Sequence, residues 1–142
     1  MMRPLSVPVF LAVLLCTGPG QGDDAPYAKV QKLLDTSVTV LGQPVSYPTG
    51  GPAKLTSLIV TLAPGEETSR HKHAVPLFGY ILEGEVSIDY EGRETKTFRA
   101  GDALIEGLDV WHVGWNSGDG PLRILAVFLG AEGAANTLTH QP

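Results

Sequence analysis

Glycine and proline interrupt this chain so often that no long helix fits between them. The sequence holds 17 glycines and 11 prolines in 142 residues. The segments they bound are short and rich in β-branched and aromatic residues, a pattern that predicts strands joined by turns. Candidate strands cover residues 37–41, 45–47, 55–63, 68–73, 77–82, 85–90, 94–98, 103–106, 111–116 and 122–129. About ten short strands at near-regular spacing imply an all-β sandwich or barrel. One segment departs from this pattern. Residues 25–35 carry Tyr27, Val30, Leu33 and Leu34 at helical spacing, which predicts a short N-terminal helical segment. The tail over residues 131–142 is small and polar and is expected to fray.

In an extended segment alternate side chains share a face. His71 and His73 should therefore point one way and Lys72 the other. Leu77, Gly79 and Ile81 share one face of the next strand, with Phe78, Tyr80 and Leu82 on the opposite face. A strand apolar on both sides needs cover on both. One face is expected to line the interior, and the other to meet a second sheet or a second copy of the chain, which predicts a homodimer.

The N-terminus reads as a targeting segment. Arg3 precedes an apolar run over residues 5–16, and small residues follow at 17–22. That order predicts a cleavable signal peptide over residues 1–22 and export to the periplasm or medium. A membrane anchor needs about 20 apolar residues, and this run is shorter and contains Pro8. Cleavage would remove Arg3 and Cys16, leaving a mature chain without cysteine and hence without disulfide or thiol chemistry. Beyond the signal the expected divisions are an N-terminal segment at 23–54 and a barrel at 55–130. The net charge of −5 offers no basic stripe for phosphates, so nucleic acid is excluded as a partner. No membrane span is expected after cleavage.

Two stretches carry candidate chemistry. The first runs from Gly65 through Arg70-His71-Lys72-His73 to Gly84; the second runs from Gly101-Asp102 through Glu106 and His112 to Asn116. Three of the four histidines fall in these places, and His140 lies in the tail. An H-x-H alone is a weak signal, but both stretches in this order resemble the two motifs of the cupin family. The resemblance covers roughly residues 55–129. It implies a double-stranded β-helix, a jelly-roll-like barrel, with one divalent metal held by two histidines and a glutamate of motif one and the histidine of motif two. Carried over, His71, His73 and His112 match three of those places. Neutral imidazoles suit Fe, Mn, Ni, Cu or Zn.

The departures carry as much information. The motif-one glutamate should fall at position 77, where this chain has Leu77, and Gly107 and Asp109 replace the usual proline and glycine of the motif-two turn. Two alternatives follow. The site is a three-histidine centre with Glu106 at the rim, or Glu106 turns inward as the fourth ligand. The second is favoured, because an acid ending the apolar Ala103-Leu104-Ile105 run is costly unless paired or ligated. Trp111 and Trp115 share a parity opposite to His112 and are expected to serve packing or a dimer interface. Tyr80 would serve as an acid or base if it faced inward.

Three functions compete at this point. The first is an enzyme, a metal-dependent oxygenase, isomerase or lyase acting on a small molecule. The second is a module that binds a metal or ligand without turnover, and the third a degenerate structural barrel, for which Leu77 speaks. Fold does not choose among them.

Overall fold

A computed structural model of the chain describes residues 29–140. The signal segment expected at 1–22 and Tyr27 lie outside the described residues. The chain divides into two units, Met1–Gln31 and Lys32–Pro142, and the description below concerns the second.

Nine strands follow in order: β1 Ala53–Leu62, β2 His71–His73, β3 Leu77–Glu83, β4 Glu85–Tyr90, β5 Thr95–Arg99, β6 Ala103–Ile105, β7 His112–Asn116, β8 Leu122–Ala131 and β9 Thr137–Thr139. They form two antiparallel sheets, ordered β1-β8-β3-β6 and β5-β4-β7-β2-β9. Among the described residues there is no helix, and so none long and apolar enough to cross a membrane. The all-β architecture expected from the punctuation is present.

Parity governs the interior. Leu58, Val60 and Leu62 of β1, Leu77, Gly79 and Ile81 of β3, and Val86 and Ile88 of β4 all line one space between the sheets. Ile81, Tyr90 and Leu122 are almost wholly buried there with Val86 and Leu104. Each such side chain contributes roughly 1.5–3 kcal/mol by leaving water. The opposite parity of β3 faces out, and this includes Tyr80, which pairs with Ala103 and Leu125. Tyr80 therefore does not reach the interior.

Three N- and C-terminal expectations differ from the fold. Residues 37–41 and 45–47 are not strands; a single bridge, Val38 to Pro44, closes a turn there. The Thr39 hydroxyl accepts from the N–H groups of Leu41 and Gln43, both at 3.2 Å, so a side chain replaces a sheet partner. Residues 29–36 carry no helix. Leu33 stands exposed and Leu34 is only half-buried, and short helices depend on packing of their apolar face. The tail does not simply fray: β9 pairs with β2, with Thr137 opposite His73 and Thr139 opposite His71.

Two tight places fix the loops around the site. Gly84 adopts φ +81°, and a Cβ there would lie 2.5 Å from the Pro121 carbonyl oxygen. A Cβ on Gly107 would lie 2.7 Å from Leu41 Cδ1 and 3.0 Å from Tyr90 Cε1, so only glycine lets Tyr90 approach the end of β6. Asn116 ties down the turn after β7, donating to Leu62 O at 3.0 Å and Gly120 O at 2.8 Å.

Candidate metal centre

His71 lies directly opposite His112 in the β2–β7 pairing, and alternation places His73 on the same face as His71. The three rings gather, with centroids between 4.3 and 5.1 Å apart. One nitrogen from each lies within 4.8 Å of the others, close enough to hold a metal ion. Each ring is anchored through its other nitrogen. His71 Nδ1–H donates to Ser69 O at 2.7 Å and His112 Nδ1–H to Val110 O at 2.9 Å. His73 Nδ1 meets the Thr137 hydroxyl at 3.2 Å. A carbonyl only accepts, so these contacts assign the proton of His71 and His112 to Nδ1 and leave Nε2 with a free lone pair.

Glu106 enters from the other sheet. Its N–H donates to Leu77 O at 3.0 Å, so the end of β6 sits beside the residue that replaces the motif-one glutamate. Both side chains line the interior space. The carboxylate turns inward: Oε1 is 3.0 Å from His112 Nε2 and Oε2 is 3.4 Å from His73 Nε2. The rim orientation is not what this geometry contains.

The electrostatics follow from that contact. Burial disfavours the Glu106 carboxylate, yet its contacts with His112 and His73 outweigh burial and hold it well below the usual carboxylate range. Burial works against a charged His112 too, but Glu106 more than offsets it, so the His112 pKa stands above its ordinary value. His71 shifts the other way, lowered mainly by burial. Burial, then the Glu106 charge, pushes the Tyr90 phenol far above its ordinary value, so it stays protonated.

Among the described residues, two buried side-chain atoms lack hydrogen-bond partners, His112 Nε2 and the Tyr90 hydroxyl. His112 Nε2 is close to Glu106 but outside hydrogen-bond geometry. A buried lone pair without a partner is costly, and a cation shared with the neighbouring imidazoles is the partner that fits it. The three imidazole nitrogens form a group that could hold a divalent transition ion, with the Glu106 carboxylate beside two of them.

The sequence pattern of the cupin domain matches residues 58–128. The chain belongs to the cupin family. No curated protein matches it by sequence. Among solved structures, this cupin resembles a conserved Klebsiella pneumoniae protein with a double-stranded β-helix domain, at 19% identity and TM-score 0.53, over 69% of this chain and 91% of that one. It also resembles a DMSP lyase of Ruegeria pomeroyi, at 23% identity and TM-score 0.52, over 62% of this chain and 44% of that one. A third match is the Bacillus subtilis oxalate decarboxylase, a protein with Mn(II) centres, at 26% identity and TM-score 0.52. That match covers 60% of this cupin but only 23% of the decarboxylase, so the chain spans about a quarter of that protein's length.

The three histidines expected from the motifs are brought together. Sequence reasoning missed Thr137, because a Thr-Leu-Thr segment in a small polar tail gives no sign of its partner. It also missed Tyr90, although Val86, Ile88 and Tyr90 share one parity of β4 and all three are buried. Trp111 is not packed into the core. It stacks on the outer surface beneath Arg70, whose guanidinium carbon is 4.8 Å from the ring centroid, and Lys72, whose Nζ is 5.1 Å away.

Proposed function

We propose that this cupin binds one divalent transition-metal ion on His71, His73 and His112, with Glu106 as fourth donor, and acts on a small molecule beside that ion. The supporting observation is convergence: three imidazoles, two of them fixed in the Nδ1–H tautomer, gather beside one buried carboxylate, and His71, His73 and that carboxylate line a cavity of about 100 Å³. Bound there, the ion would supply Lewis acidity toward an oxygen of the substrate. The residues of the chain do the rest. The carbonyls of Ser69 and Val110 and the hydroxyl of Thr137 orient the rings. Glu106 neutralises one charge, and the apolar walls from both sheets exclude water. A structural barrel would have no use for three clustered histidines, two of them on a cavity wall, which counts against the degenerate reading despite Leu77.

One observation keeps a second reading in play, a binding module without turnover. Of the described residues that line the cavity, only His71, His73 and Glu106 carry ionisable side chains, and all three are committed to the ion. A lyase, isomerase or oxygenase would then take its proton chemistry from the ion's own ligands or from water. His71→Ala, His73→Ala and His112→Ala should each lower metal affinity by at least about tenfold. Wild-type affinity in all three would overturn the assignment.

We place the protein outside the cytoplasm, on the strength of Arg3, the apolar run at 5–16 and the small residues after it. Intact-mass measurement of exported protein should show the chain starting between residues 17 and 23; a mature chain beginning at Met1 would contradict this.

A further inference from the structure

The cavity beside the histidines has a composition that narrows what it can hold. At about 100 Å³ it is well below the roughly 300–1,000 Å³ of pockets for drug-sized ligands. Its walls are apolar: Val60 of β1, Ile81 of β3, Ile88 of β4, and Ile124 and Phe128 of β8. Among the described residues that line it there is no Lys, Arg, Asn or Gln. Away from the metal-binding end the one hydroxyl is that of Thr68, which already accepts from Gly114 N–H at 3.1 Å. Leu58 lines the cavity and is also 41% exposed, which puts the rim at edge strand β1.

Charge accounting sharpens this. A divalent ion with one carboxylate and three neutral imidazoles leaves a single positive charge. One anionic oxygen donor neutralises it. A second anion would lie in the aliphatic end with no cation or donor to meet it, and burying an unpaired charge is strongly unfavourable. We infer that the site takes a small monoanionic oxygen donor with an apolar tail of a few carbons, bound head to the ion and tail against Ile88, Ile124 and Phe128, and that it rejects dianions whose second charge would enter the tail end. This rests on the metal-site reading above.

The four-carbon pair butyrate and succinate isolates the tail, because succinate carries a carboxylate where butyrate has a methyl. The full chain is loaded with Mn(II), its metal content is measured, and binding of each acid at pH 7.5 is followed by calorimetry. Less than one ion per chain would mean that the metal-site reading itself has failed. With one ion present, butyrate should bind at least tenfold more tightly than succinate. Equal or tighter binding of succinate overturns the inference, as does no binding of butyrate at millimolar concentration. Ala126→Val adds two methyl groups to the cavity wall. With metal content retained, it should weaken butyrate more than acetate, whereas equal losses would place the tail elsewhere.

Discussion

Glu106→Gln removes one charge and almost no volume, so it tests what the carboxylate does. The side chain is 11% exposed and lies 3.0 and 3.4 Å from two imidazole nitrogens, so solvent and salt screen it little. Losing even an outer contact of a metal ligand typically costs 10–100-fold in affinity, which is about 1.4–2.7 kcal/mol; direct ligation should cost more. The structure also supplies a rescue. Glu106 N–H donates to Leu77 O, and both side chains line the cavity, so a carboxylate at 77 would enter the same space from the neighbouring strand. Leu77→Glu in the Glu106→Gln background should recover most of the lost affinity. In the wild-type background it should not, because two carboxylates would compete for one position and repel. Affinities are read by competition with a chromogenic chelator at pH 7.5. Unchanged affinity in Glu106→Gln would remove Glu106 from the ligand set, and tighter binding in Leu77→Glu alone would establish a three-histidine centre.

Thr137→Val removes the hydroxyl that meets His73 Nδ1 and should weaken metal binding by about tenfold with little change in melting temperature; unchanged affinity would make that contact incidental. In metal-free protein the His112 pKa is raised by Glu106, so the pair's contribution is fully present below the unfolded value of 6.5 and is lost as pH rises through the higher folded value. The melting-temperature gap between wild type and Glu106→Gln should therefore be largest near the lower end of that window and shrink toward alkaline pH, and a gap that grows would refute the sign. Metal affinity should move the opposite way, rising with pH as His112 gives up its proton. The outer face of the β1-β8-β3-β6 sheet presents Leu55 at 67%, Ile59 at 46% and Leu82 at 40% exposure, beside Phe78 and Tyr80, on a long edge strand that invites pairing. Sedimentation should show a dimer at micromolar concentration that Ile59→Lys dissociates; a wild-type monomer would count against it.

What the sequence disclosed was local and periodic. Alternation grouped Leu77, Gly79 and Ile81 on one face of their strand and set His71 and His73 on one face of theirs, because period two needs no knowledge of partners; which face of residues 77–82 lines the interior came only with the fold. The juxtaposition of Glu106 with Leu77 was not written in either segment. It depends on the β3–β6 register, with Phe78 opposite Ile105, which only the folded sheet sets. The same holds for Thr137, which lies 64 residues from the ring it touches. Residues 37–47 misled for a different reason: their β-branched composition suits a strand, but Thr39 bonds its own turn, and Gln43 reaches across to Leu108 N–H and O at 2.9 and 2.7 Å. Asp109, at φ +53°, shows the same local override, since aspartate tolerates the left-handed conformation that the family fills with glycine.

The central claim is one metal ion held by His71, His73 and His112, and elemental analysis of protein purified from its native compartment tests it most directly. The account predicts one divalent transition-metal ion per chain in the wild type and essentially none in the folded His71→Ala/His73→Ala/His112→Ala variant. Equal metal content in the two proteins would contradict it.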